Sequence, residues 1–540
     1  MNKGKLVAIL LALLSASGLF VFVKFYDQVS PQAAIDVRIV ASDVKERGEN
    51  FLNENGFNVE GYKTTSTFIS ENESFTYLQK TFGLEKANEI VRNEVPVYYW
   101  EYRAFNPLQE EEFVFDAHPT DGRMIGYNHT INEEVAGANL EQDAAKQIAE
   151  DFLGSRAGKD LALYELATSE QNKQKNRTDY QFEWKKKDAN LGEAELRLIV
   201  DIQGDKVGTY LEYLKVPETF SRAYTEEISV GDLLAFVSMG FSFLIFIAAV
   251  IIFIKKYKTG EIRWKFGLIF GIVILALSLA DTFNSLPLLN SFYSTDTGYG
   301  VYWGTLLAGV ILGSMVYGIF ILFTGASGDS LTREVFPKSA ESISRLIKFD
   351  VFNRQFAKSS LAGYALAFID LGLITIFYFI AQKYFDVWSP AESPFDNIMN
   401  TALPFLAPLL VGVTAAISEE FVFRYFAISF FKKYFKYTFL ALLIPAVIWA
   451  FGHSNYEIFP VYVRGIELTL IGLLYGYFFI KFDIWTCIIA HFATNAILVS
   501  MPLLRSENPY FFISGLAVIG LGLLPVIPAL FKWRKMSESS

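Results

Sequence analysis

Apolar runs of about 18 residues or more recur along this chain, and nothing else in it constrains the fold as tightly. They lie near 6–23, 233–254, 265–283, 301–323, 361–382, 398–431, 438–459, 465–480, 484–503 and 510–531. Backbone polar groups inside a bilayer must be satisfied internally, so runs of this length read as membrane helices. The expected fold is an all-α polytopic membrane helix bundle of about ten spans, with one α+β extracytoplasmic domain inserted. The sixth run is too long for one straight span, and the seventh and eighth are divided by the ambiguous stretch Asn455–Arg464. One cysteine, Cys487, leaves no possible internal disulfide and no CxxC motif.

Between the first and second runs the composition changes. Residues 25–230 hold 38 acidic and 22 basic residues, whereas the rest holds 19 and 25, giving the overall charge of −10. A polar, acidic domain has been joined to a hydrophobic bundle whose charges are mostly basic. No basic face for nucleic acid is apparent. Lys and Arg cluster at Lys3/Lys5, Lys255–Lys265, 333–358, Lys432/Lys433/Lys436, Lys481 and Lys532–Lys535, while loops 284–300 and 384–397 have none. The positive-inside rule then places both termini in the cytoplasm of a plasma-membrane protein, and residues 25–230 outside it.

The expected domains are an anchor helix at 1–24, the outer domain at 25–230, accessory helices and a cytoplasmic loop at 231–360, a catalytic core at 361–531 and a tail at 532–540. Residues 6–23 read as an uncleaved anchor, because the apolar run continues past Ser15–Gly18 through Leu19–Val23, longer than a signal-peptide core.

The outer domain contains two similar units. A helix near 42–55 precedes strands Val97–Phe105 and Phe113–Asp116 and the turn Gly122–Gly126. A helix near 140–153 precedes Tyr180–Lys185, Leu196–Asp201 and the turn Gly204–Gly208. Each unit turns through Gly after a strand ending in Asp, as a tight hairpin requires. The pattern resembles two PepSY domains, which implies a modulating or inhibitory role. A generic α+β domain binding a regulator or substrate is the other reading. His118 and His129 have no second ligand at metal spacing and read as surface residues.

Ionisable residues inside hydrocarbon are costly and are functional candidates by default. Ser418-Glu419-Glu420-Phe-Val-Phe-Arg424 lies in the sixth run, Trp449-Ala-Phe-Gly-His453 in the seventh, and His491-Phe-Ala-Thr-Asn495 in the ninth. On a helix Glu420 and Arg424 share a face and can pair, while Glu419 is rotated about 100° away and left unpaired. Trp449 sits one turn before His453 and can pack beside its ring. Measured at ~1.5 Å per residue from the nearest cytoplasmic Lys, Glu419 is about 20 Å deep and His453 about 25 Å. His491 and Asn495 are about 15 and 21 Å deep by the same measure. The four groups can therefore converge on one polar chamber. A carboxylate and an imidazole can position and deprotonate water. A second His with an Asn amide can stabilise an oxyanion. Asp281 and Asp370 read as structural or gating residues, and Glu457, Arg464 and Glu467 as lining an access route.

EExxxR, an aromatic-xxx-His element and HxxxN, in this order on membrane helices, resemble the CPBP family of CAAX prenyl endopeptidases and bacteriocin-processing (Abi) enzymes over residues 361–505. The resemblance implies an intramembrane glutamic endopeptidase. Glu419 and His453 would activate water, His491 and Asn495 would form the oxyanion hole, and Glu420 and Arg424 would support them. Trp449 stands where the family usually has Phe, and the outer domain is an addition. The implied substrate is a membrane protein or peptide. No cofactor is expected, a zinc-dependent protease held by Glu419, His453 and His491 being the alternative. A transporter or a signalling receptor with a buried polar site is the reading from another class.

Overall fold

The computed structural model describes residues 3–31, 35–348, 350–388 and 396–527. The tail 532–540, the basic cluster Lys532–Lys535 and the last residues of the run 510–531 lie outside the described residues. The chain opens with α1 (Lys3–Val29) and enters a sheet domain containing α2 (Ala41–Glu54), β1 (Lys63–Ser70), α3 (Asn72–Phe82), α4 (Leu84–Asn93), β2 (Tyr98–Phe105), β3 (Glu112–Ala117) and β4 (Met124–Thr130). It continues through α5 (Gln142–Ser155), β5 (Tyr164–Lys173), β6 (Thr178–Lys186), β7 (Glu195–Gln203) and β8 (Lys206–Lys215).

The eight strands form one antiparallel sheet in the order β1-β2-β3-β4-β8-β7-β6-β5. Two four-stranded meanders therefore meet back to back at β4 and β8, where Tyr127 pairs with Tyr210. Helix α2 packs on the first meander and α5 on the second. This is the duplication visible in the sequence. Alternation drives it: Leu196, Leu198, Val200 and Ile202 of β7 are all buried while the residues between them face outward. The sequence pattern did not reveal β1 and β5. Their strands carry Thr, Ser and Glu, and β5 is an exposed edge beyond Tyr164. Gly122 and Gly204 hold φ of +71° and +68°, as their turns require. His129, expected at the surface, is buried: it stacks on Phe113 at 4.4 Å and meets Glu111 at 2.8 Å.

The bundle comprises α6 (Glu218–Lys258), α7 (Trp264–Asn284), the short α8 (Leu286–Ser291), α9 (Tyr299–Val335), α10 (Glu341–Ile347), α11 (Arg354–Tyr384), α12 (Leu406–Glu419), α13 (Ser429–Phe435), α14 (Thr438–Phe451), α15 (Tyr462–Lys481), α16 (Ile484–Arg505) and α17 (Pro509–Gly522). Between α12 and α13 the helix widens into a π-helical stretch, Glu420–Ile428, all nine residues of which are buried. Helix α1 is docked against α11, where Gly18 lies so close that an added Cβ would meet the Phe368 carbonyl. Small residues permit such approach in membranes.

Two apolar runs depart from expectation. Among the described residues, nine helical segments are long and apolar enough to span a membrane, and α14 is a shorter, fourteen-residue helix. Its run, 438–459, contains Gly452, Ser454 and Asn455, poor helix formers. The helix closes in tight turns from His453 N–H to the Ala450 carbonyl at 3.1 Å and from Ser454 to Phe451 at 3.2 Å. The run 398–431 instead becomes the end of a 3-10 helix (Asp396–Asn400), a loop up to Phe405, then α12, the π-helical stretch and the start of α13.

The sheet domain caps one end of the bundle. Its core is continuous with Ile398, Met399, Ala407, Val499, Leu503 and Phe511. Arg103 donates to the Tyr293 carbonyl at 2.7 Å, and Ser506 to the Val37 carbonyl at 2.7 Å. The opposite end gathers charge: Lys256 and Lys433 both bridge Glu334 at 2.9 Å, and Arg263 and Arg333 flank the buried Asp329.

Candidate active site

Four helical segments bring the sequence motifs together. The end of α12 carries Glu419, and the π-helical stretch that follows carries Glu420 and Arg424. Trp449 lies on α14, His453 lies in the turn after it, and His491 and Asn495 lie on α16. Glu419 Oε2 is the focus. It accepts a hydrogen bond from the Trp449 indole N–H, and it lies 4.0 Å from His453 Nε2 and 3.9 Å from His491 Nε2. These separations are too long for direct hydrogen bonds. They are short enough for one water to touch the carboxylate and an imidazole at once.

The imidazoles are held from behind. His453 Nδ1 lies 2.9 Å from the Trp449 carbonyl oxygen. A carbonyl can only accept, so Nδ1 carries the proton, and in the neutral ring Nε2 presents a lone pair toward Glu419. His491 Nδ1 lies 2.9 Å from Glu420 Oε1. Glu420 is fully buried and also lies 3.2 Å from Arg424 Nη1, a close ion pair not aligned as a hydrogen bond. The expected Glu420–Arg424 partnership thus exists, with the carboxylate shared with His491. The Arg424 guanidinium lies over the Trp449 ring at 4.1 Å, a cation–π contact.

Glu419, His453, His491 and Asn495 all face one cavity of about 320 Å³, whose other walls include Phe22 and Tyr26 of α1. The Glu419 side chain is 25% exposed and Glu420 fully buried, so only the first is open to a ligand. Among the described residues the Asn495 amide makes no hydrogen bond and is available to one.

Residues outside the three motifs also contribute. Asp370 lines the cavity and accepts from Tyr475 at 2.9 Å and Thr494 at 3.2 Å. Its one sequence signal was a carboxylate in an apolar helix. Of the expected access residues, Arg464 does line the cavity, paired with the buried Glu467 at 2.6 Å. Glu457 instead accepts from Tyr224 at 2.8 Å and ties the turn after His453 to α6. Cys487 is buried, its thiol directed at the Tyr475 carbonyl at 3.3 Å. Among the described residues no group of three or more His, Cys, Asp or Glu side chains is arranged to hold a metal ion.

A carboxylate, two imidazoles and an amide thus surround one buried cavity in a helical bundle, groups suited to hydrolysis. Residues 401–497 match the family model of the type II CAAX prenyl endopeptidases, Rce1-like, which supports a CPBP-type intramembrane endopeptidase. All seven motif residues fall inside that segment. Over 506 residues the chain is 21% identical to the sporulation-killing factor biosynthesis protein SkfC of Bacillus subtilis (strain 168), covering 91% of this chain and 94% of that protein. No solved structure matches it.

Proposed function

We propose that the chain is a glutamic-type intramembrane endopeptidase, in which Glu419 and His453 activate water to hydrolyse a peptide bond of a membrane-associated protein or peptide. The convergence of both imidazole Nε2 atoms on Glu419 Oε2 at 4.0 and 3.9 Å carries this reading. A water between Glu419 and His453 gives up a proton to this pair as its oxygen attacks the carbonyl carbon. The carbonyl oxygen gains charge and accepts hydrogen bonds from the Asn495 amide and His491 Nε2–H. His491 Nδ1 already donates to Glu420, so His491 acts as the doubly protonated ring. Glu419, Glu420, Arg424 and His491 then sum to zero charge, the arrangement a low-dielectric interior tolerates best. The proton held by Glu419 or His453 passes to the leaving amine, and the peptide bond breaks.

The metal-free version is preferred because the described His and carboxylate groups form no cluster that could hold a metal ion. The sheet domain, PepSY-like in its helix–strand–turn order, is proposed to lie outside the cytoplasm and to bind a regulator or the substrate. The basic far end of the bundle, cytoplasmic by the positive-inside rule, supports that orientation. A peptide matured at the plasma membrane suits the likeness to a protein of sporulation-killing factor biosynthesis. Purified protein in lipid should cleave membrane-associated peptides, and Glu419→Ala and His453→Ala should each abolish cleavage. Full activity in either variant overturns the proposal.

A further inference from the structure

The Glu419 side chain also borders a second cavity, whose lining includes none of the other site residues. This cavity, of about 430 Å³, lies between α7, α9 and α12. Its lining combines Ser278, Asp281 and Thr282 of α7, Ser314 and Tyr317 of α9 and Thr414 of α12 with the apolar Val310, Leu410, Val411 and Ala415. Hydroxyl groups and a carboxylate are expensive to place in hydrocarbon unless they are solvated. A cavity of this size can hold on the order of ten waters, at about 30 Å³ each.

The cavity runs in depth. Helix α7 ends at Asn284, whose side-chain oxygen accepts from the Leu403 N–H at 2.8 Å, on the face of the bundle that carries the sheet domain. Asp281 lies about 5 Å inward of that end. Glu419 lies about 20 Å inward along α12, which starts from the same face. The first cavity, in contrast, is lined mainly by aromatic and aliphatic side chains, among them Phe22, Tyr26, Ile374 and Leu468. Glu419 thus stands between the chamber that holds the histidines and a second one rich in hydroxyl groups.

We infer that this hydroxyl-lined cavity is an aqueous inlet that delivers hydrolytic water to Glu419 from the sheet-domain side, while the first cavity takes the peptide. Every turnover consumes one water, whose oxygen goes to the acyl carbon and whose protons are shared between the new carboxyl and the released amine. A chamber filled by an apolar peptide blocks that water on its own side. The inlet supplies it from behind the carboxylate, with Asp281 and Ser314 along its wall. The inference rests on the peptidase reading above.

Two measurements on the full-length chain test it. In a Cys487→Ala background, Ser314→Cys should react with a charged, membrane-impermeant methanethiosulfonate at least roughly tenfold faster than Leu312→Cys, because a thiolate reacts only where it is hydrated. Leu312 is on the same helix and 63% exposed on the apolar outer surface. Thr282→Cys, nearer the mouth, should react faster still. Equal, slow labelling at all three positions overturns the inlet. Ser314→Leu, which fills it, should lower kcat by about tenfold with KM unchanged, and Ser314→Ala should not. An unchanged kcat in a folded Ser314→Leu enzyme overturns the supply role. If the parent protein cleaves nothing, the peptidase reading fails, and the labelling still decides whether the cavity is aqueous.

Discussion

The indole N–H of Trp449 donates to Oε2 of Glu419, the same oxygen that faces both site histidines. The tryptophan therefore orients the carboxylate rather than only packing beside His453. Trp449→Phe keeps an aromatic ring under the Arg424 guanidinium and removes only the donor. A hydrogen bond to a charged group is worth about 1.5–3 kcal/mol, so kcat should fall by roughly ten- to a hundredfold with little change in thermal stability. Steady-state kinetics beside a melting curve check this, and an unaltered kcat would show that the indole is packing alone.

Glu420 and Arg424 should behave differently from Glu419. Both are almost fully buried, so Arg424→Ala leaves the two carboxylates Glu419 and Glu420 with only the His491 cation to balance them. The expected cost is about 3–5 kcal/mol, read as a large fall in melting temperature. The double change Glu420→Gln with Arg424→Met should restore much of that stability. It should not restore activity, because Glu420 also holds His491 Nδ1. Recovery of cleavage in the double variant would mean that His491 needs no such partner.

Stability should also depend on pH through the sheet domain. Burial, and then the neighbouring Glu101 and Glu71, hold the Asp116 carboxyl well above the usual carboxylate range. The folded chain therefore keeps a proton that the unfolded chain releases, and stability falls as pH rises from the ordinary carboxylate range through the raised one. Asp116→Asn should flatten this decline. Thermal unfolding from about pH 4 to about pH 8 measures it, and parallel curves for the two proteins would contradict the assignment.

Cleavage should survive metal removal. Dialysis against EDTA or phenanthroline is expected to leave activity intact, since the described His and carboxylate groups form no metal-holding cluster. Loss of activity that added Zn²⁺ restores would establish the zinc-dependent alternative.

Much of the site was legible because membrane burial makes polar residues conspicuous. Glu419, His453, His491 and Asn495 stood out against apolar helices, and helical depth alone suggested that they meet. The duplication of the sheet domain was legible from its turn glycines and alternating strands. What the pattern missed had weak local signals. Strands β1 and β5 are polar and partly exposed. The π-helical stretch Glu420–Ile428 looks like any apolar helix in one dimension, because the widened turn arises from packing on every side. The short α14 also looked longer, because its apolar residues continue past the point where Gly452 and the following turn end it.

The sequence by itself determined that the chain is a membrane bundle with an inserted acidic domain, and it named the polar residues that the helices bring to one cavity. Hydropathy and charge act locally, so one dimension suffices for them. Only the tertiary structure decided which nitrogen of each histidine faces Glu419, that Trp449 donates to that carboxylate, and that Glu419 stands between two cavities. Those relationships depend on the packing of α7, α9, α12, α14 and α16, segments far apart in the chain, and no local pattern encodes them.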